Sequence, residues 1–194
     1  MIGYLKGNLT FKDPTFVIVD VNGVGYEVKV SLYTFSKIKE LSSCLLYTHL
    51  HVKEDSHTLY GFFDKEEKNI FLQLISINGV GPNTALMINS YLTVEELKNA
   101  IIHDQVGTIQ KVKGIGNKTA HRIILELKDK IRKEGFEPGI IHSTDNTIRN
   151  EALSALVTLG INRNQAEKGV EAVLRKYGDD ISLEDLIKFV LKQS

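Results

Sequence analysis

Asn78-Gly79-Val80-Gly81-Pro82-Asn83-Thr84-Ala85-Leu86-Met87-Ile88 returns 35 positions later as Lys113-Gly114-Ile115-Gly116-Asn117-Lys118-Thr119-Ala120-His121-Arg122-Ile123. Both copies read glycine, aliphatic, glycine, two variable residues, Thr, Ala, then a helical pattern. Each follows a helical stretch ending on an apolar residue, Ile77 or Val112. The glycines permit a tight turn between two helices and a close backbone approach. Val80 or Ile115 is placed to plug the core of such a hairpin. The helix that follows presents free N–H groups and its positive dipole end outward, which suits a phosphate. Contacts of that kind ignore base identity, so a nucleic acid held this way is bound without regard to sequence. One copy alone is equally well explained as an ordinary helix–helix turn; two copies weigh against that. A dinucleotide loop needs a strand before its glycines and an acidic residue on the next strand, and neither pattern is present here.

Charge supports the second copy. The 194 residues carry 24 Lys+Arg and 24 Asp+Glu, a neutral total that argues against a wholly basic nucleic-acid binder. By segment the balance is uneven. Residues 1–63 hold 6 basic and 6 acidic residues, residues 64–134 hold 11 and 9, and residues 135–194 hold 7 and 9. Within 111–133, eight basic residues (Lys111, Lys113, Lys118, Arg122, Lys128, Lys130, Arg132, Lys133) face two acidic ones (Glu126, Asp129), or +6. At 42% hydrophobic and 25% charged the composition is that of a soluble globular protein. No apolar run approaches the roughly 20 residues that span a bilayer, and Met1 to Gly7 carries no signal-peptide pattern. The single Cys44 excludes an internal disulfide framework and a cysteine-rich zinc site. A cytoplasmic protein without membrane contact is expected.

Outward from the repeat, the patterning changes twice. Residues 1–63 read as five short strands, with an Asn22-Gly23 hairpin turn and alternating Val24, Tyr26, Val28 and Val30. A short helix over Leu32 to Lys39 fits between the third and fourth strands. Five strands in so short a stretch predict a small closed barrel, because closure removes exposed edges. Residues 64–135 turn helical: Asp64 with Glu67 and Thr93 with Glu96 are spaced as capping boxes, and Ile123, Ile124, Leu127 and Ile131 mark a long helix that Gly135 can end. Residues 136–146 have neither period and read as a linker. Residues 147–194 read as three short helices. Leu153, Leu156, Val157 and Leu159 are expected inward in the first and Leu186, Ile187, Val190 and Leu191 in the third. The fold class is therefore α+β and multidomain.

The repeat, together with Met1-Ile2-Gly3-Tyr4-Leu5-Lys6-Gly7, Asn22-Gly23-Val24-Gly25-Tyr26-Glu27-Val28 and Tyr60-Gly61-Phe62, resembles the RuvA family of Holliday-junction branch-migration subunits. The resemblance runs over the whole chain. It implies an OB-fold barrel at 1–63 for the junction centre and tetramerisation, and tandem helix-hairpin-helix motifs at 64–135. It also implies a flexible linker at 136–146 and a UBA-like three-helix bundle at 147–194. The implied activity is not catalytic. The chain would bind four-way junction DNA independently of sequence, hold it open and square, and load the hexameric RuvB ATPase in recombination and repair. The RuvC resolvase is a further implied partner, and the assembly is a homotetramer or, on DNA, an octamer. No cofactor or metal is implied.

Residue by residue, Glu54 and Asp55 match the family's acidic pin, whose carboxylates repel phosphates at the crossover. Gly79, Val80, Gly81, Gly114, Ile115 and Gly116 match the phosphate-cradling turns, and Lys118 and Arg122 match basic residues near the backbone. Asn83 and Asn117 stand where relatives often place Lys: they still donate hydrogen bonds but carry no charge. Leu156, Leu159 and Ile161 match the apolar patch that contacts RuvB, with Ile161 where an aromatic residue is common. From the residues alone, Glu54 and Asp55 are two solvated charges on a loop, and the three apolar residues are bundle core.

Two other function classes stay open on the sequence. A helix-hairpin-helix glycosylase or nuclease needs an acidic residue near its hairpin, and Asp129 is the one candidate. A single-strand binder would stack bases on Tyr4, Phe16, Tyr26 and Tyr47, which serve equally as barrel core. His49 and His51 alternate on one strand without a completing carboxylate or cysteine and read as barrel wall. No Gly-Lys-Ser/Thr phosphate loop is present, so ATP hydrolysis is not expected.

Overall fold

Alternation in the first 63 residues closes into a cylinder. In the computed structural model, which describes residues 1–133, 145–178 and 181–193, β1 (Tyr4–Lys12), β2 (Phe16–Val21), β3 (Val24–Val30), β4 (Ser43–Val52) and β5 (His57–Phe62) form a closed barrel in the order β1-β2-β3-β5-β4. The β3–β5 pair is parallel and the others antiparallel, the arrangement of an OB-fold. The β2–β3 hairpin turns on Asn22 (φ 53°) and Gly23 (φ 89°), the left-handed pair its sequence announced. Leu5, Val17, Val19, Val28, Val30 and Leu46 fill the barrel together with Ile38 of α1 (Leu32–Ile38). Tyr26 packs against that core, and Phe16 and Tyr47 are half-buried. Tyr4 is 61% exposed and is not core: the period of two that turns Leu5 inward turns Tyr4 outward.

Five helices follow: α2 (Lys65–Ile75), α3 (Pro82–Tyr91), α4 (Val94–Ile102), α5 (Val106–Gln110) and α6 (Asn117–Lys133). Their apolar faces share one core with Tyr60 and Phe62 of β5, so barrel and helices build a single compact unit, Met1–Pro138. The second unit, Gly139–Ser194, packs α7 (Asp145–Thr158), α8 (Arg163–Tyr177) and α9 (Leu183–Gln193) around Leu156, Val170, Val173, Leu186 and Val190. Asp145 and Asn146, expected in the linker, already belong to α7. The remainder of that stretch and the proposed stop at Gly135 lie outside the described residues. Val157, Leu159 and Leu191 were expected inward and are instead exposed. The bundle is only three helices deep, too narrow to cover every apolar position along them.

The two capping boxes part company. Thr93 and Glu96 exchange both bonds as their spacing implies. Asp64 Oδ1 accepts from the Glu67 backbone N–H at 2.8 Å, but the Glu67 side chain does not return the bond. It turns inward, where its two oxygens accept from Ser31 Oγ and Thr34 Oγ1 at the start of α1. The Phe63 N–H donates to the same Thr34 oxygen at 2.9 Å, and Asn89 of α3 donates to the Glu67 carbonyl at 3.2 Å. Glu67, 1% exposed, thus ties α2 to the barrel helix through its carboxyl and to α3 through its backbone carbonyl. Burial pushes Glu67 up to about 7, against the lowering effect of the two hydroxyls, and Asp64 adds to the rise.

Because the folded value lies above the unfolded one, the folded state binds the extra proton. Its stabilisation is complete below the unfolded value near 4.5 and is lost as pH rises through about 7. Urea unfolding between pH 5 and 8 should therefore show a loss of about 2–3 kcal/mol from this group. Glu67→Gln should remove that part of the slope; an unchanged slope would contradict the assignment.

Candidate nucleic-acid interface

The two glycine stretches fold into the same turn, bond for bond. Ile77 N–H donates to Leu74 O at 3.1 Å and Val112 N–H to Ile109 O at 3.2 Å. Gly79 follows at φ +92° and Gly114 at φ +90°, conformations that a side chain rarely tolerates. Val80 N–H donates to Ile77 O at 3.0 Å and Ile115 N–H to Val112 O at 3.1 Å. Val80 is 4% exposed and Ile115 7%, both within the shared helical core. Ala85 N–H then bonds Gly81 O, and Ala120 N–H bonds Gly116 O, each at 3.0 Å, opening α3 and α6.

The outer glycines serve a different end. Gly81 has an ordinary extended backbone (φ −83°), and a Cβ built on Gly81 or Gly116 would meet nothing within 4 Å. The space in front of each helix start is open. No side chain caps α3, and neither α3 nor α6 has an acidic residue in its first turn. By contrast α2 carries Glu66 and Glu67 there, and α4 carries Glu95 and Glu96. Lys118 is exposed in the first turn of α6, at the positive end of its dipole, and Lys111 and Lys113 are exposed nearby in sequence. That placement is unfavourable for the isolated protein and favourable once an anion sits between them.

The basic stretch is only partly available to a ligand. Arg122 Nη1 donates to the Asn78 carbonyl at 2.9 Å, Lys130 Nζ donates to Ser76 Oγ at 2.8 Å, and Lys128 pairs with Asp104. The side chains of Asp129, Arg132 and Lys133 lie outside the described residues. Asn83 is exposed at the start of α3; its Oδ1 accepts from Tyr60 Oη at 3.3 Å, which turns the amide into a donor group. Asn117 is exposed at the start of α6.

Glu54 and Asp55 are exposed at the β4–β5 turn, which Lys53 N–H closes onto Ser56 O at 2.8 Å. Neither forms an ion pair among the described residues. His49 lies against Phe71 with ring centroids 5.8 Å apart. Burial, helped by His51 and Lys68, holds its imidazole below the usual histidine value.

In the second unit, a glycine turn explains the patch of three. Gly160 (φ +93°) ends α7, with Gly160 N–H bonded to Val157 O and Ile161 N–H to Leu156 O, each at 3.0 Å. This Schellman closure brings Ile161 back beside Leu156. Leu156 is fully buried and Ile161 half-buried, while Leu159 is 62% exposed. Leu156 is therefore not a surface residue.

The link from Arg122 to Asn78 and the bond from Tyr60 to Asn83 had no local signal in the sequence. The missing acids in the first turns of α3 and α6 were legible there beside the acidic first turns of α2 and α4, although α1, α5 and α8 lack acids as well.

Three families match the chain: RuvA N terminal domain over residues 1–61, SAM-like helix-hairpin-helix tandem over 71–129, and RuvA C-terminal domain over 147–194. The chain is 51% identical to the Holliday junction branch migration complex subunit RuvA of Cytophaga hutchinsonii, over 100% of both chains. It is 50% identical to that of Christiangramia forsetii, again over both full lengths. Against that of Amoebophilus asiaticus it is 49% identical, over 99% of this chain and 100% of the relative. Similarity of this order over the full length, on a barrel and doubled hairpin of matching design, makes the chain a member of the RuvA family.

Proposed function

We propose that the chain is the non-catalytic DNA-binding subunit of a branch-migration complex. It recognises four-way junctions without regard to sequence, holds them open and square, and loads and stimulates a hexameric ATPase of the RuvB kind. The observation that carries this reading is the pair of like turns with open, acid-free helix starts. Two such turns on one unit grip an arm at two phosphates, through backbone N–H groups and nearby lysines. Asn83 and Asn117 donate to the same phosphates without adding charge, so the salt dependence is shallower by up to about 0.9 per missing cation.

Residues 1–63 form the centre of a homotetramer, or of each half of an octamer closed around DNA. There Glu54 and Asp55 act as the pin that keeps strands apart. An open junction is also what a resolvase of the RuvC kind must reach. Residues 64–135 hold the arms, and the second unit, from α7 onward, meets the motor at Leu159 and Ile161. Leu156 supports these two from within the bundle. The work is part of recombination and repair in the cytoplasm.

The turns supply their own test, because inner and outer glycines differ. Gly79→Ala or Gly114→Ala should cost about 1–2 kcal/mol of stability through forced left-handed backbone. Gly81→Ala and Gly116→Ala should leave stability within about 0.5 kcal/mol. The same outer substitutions should weaken binding to an immobile four-way junction by about tenfold or more. Full affinity in a Gly81→Ala, Gly116→Ala double variant would refute the cradles.

Neutralising the pin with Glu54→Gln and Asp55→Asn should strengthen binding to linear duplex and reduce the preference for junctions, read by gel-shift competition. Unchanged affinities for both would count against the pin. In the second unit, Leu159→Asp should abolish motor stimulation with stability held within about 0.5 kcal/mol. Leu156→Ala should instead cost the bundle about 2–5 kcal/mol. Normal stimulation of ATP hydrolysis by Leu159→Asp would remove the docking assignment.

A further inference from the structure

The repeat is symmetric in its turns and asymmetric in what crosses between them. Arg122, on α6, passes the second turn and donates through Nη1 to the carbonyl of Asn78 in the first, 44 residues earlier. The same nitrogen stands 3.9 Å from where a Cβ on Gly79 would lie. Further along α6, Lys130 donates to Ser76 Oγ. Ser76 and Asn78 flank Ile77, the buried residue at which α2 passes into the first turn. Two cations of α6 thus hold the first turn from outside, while Val80 and Ile115 join the two hairpins from within. In the first copy the position of Arg122 is Met87, an exposed side chain with no N–H or O–H donor, and among the described residues no α3 side chain bonds the second turn.

We propose that Arg122 is a positioning residue that fixes the first phosphate cradle against the second by holding the Asn78 carbonyl. The inference rests on reading both turns as cradles. A guanidinium bond to a carbonyl is charge-assisted and directional, and its fork holds orientation better than an ammonium does. The fixed spacing matters because two weak grips act together only if both reach their phosphates at once; a loose first turn loses the gain of the second contact.

The test reads the turn and the DNA separately, in the full-length protein. Hydrogen exchange of the Val80 amide reports the first turn, with the Ile115 amide as internal control, for the wild type, Arg122→Met and Arg122→Lys. Arg122→Met should speed exchange at Val80 by about tenfold or more and leave Ile115 unchanged. It should also weaken junction binding, and Arg122→Lys should restore both in part. Unchanged exchange at Val80 beside weaker binding would make Arg122 a phosphate contact only and overturn the proposal. Faster exchange with full affinity would overturn it as well. The Gly81→Ala, Gly116→Ala variant, measured alongside, is independent of Arg122: full affinity there sinks the cradle reading itself.

Discussion

The helical part of the larger unit turns on two residues that bend the chain left-handed inside one apolar core. Gly79 and Gly114 each sit near φ +90°, directly before a buried aliphatic residue. The buried plug forces the turn inward, and the glycine lets the backbone reverse in so few residues. The next helix must then start at the surface with its N–H groups facing out. A helix start that faces out in this way suits a phosphate. Open space at Gly81 and Gly116 and the missing acids of both first turns leave the sites unfilled by the protein itself.

Charge is distributed to match. A sum of zero conceals lysines at the second turn, carboxylates at the exposed β4–β5 tip and a mildly acidic second unit. Part of the basic stretch is internal framework: Arg122, Lys128 and Lys130 bond Asn78, Asp104 and Ser76. These three cations serve the protein's own rigidity, which leaves fewer of the basic side chains to a ligand.

Features carried by local pattern were legible in the sequence. Asn22-Gly23, the period of two in β3 and the 35-residue repeat each depend on neighbours in the chain, and each formed as expected. What stayed hidden required a distant partner. Asp64 and Glu67 have the spacing of a capping box whether the carboxyl returns to the cap or, as here, leaves for Ser31 and Thr34. Arg122 gives no sign of Asn78. Leu159 carries the apolar spacing of a core residue, and its exposure follows from where Gly160 turns the chain back. For Glu54 and Asp55 the structure adds exposure, and nothing in their local spacing marks a role.

On the proposed function, the two turns hold arm phosphates and not bases. The most direct measurement replaces single arm phosphates of an immobile four-way junction with uncharged methylphosphonates and reads equilibrium binding at each position. A small set of arm positions should weaken binding, at the same places in junctions of unrelated sequence. Binding that ignores every phosphate position, or that follows base sequence instead, would contradict the account.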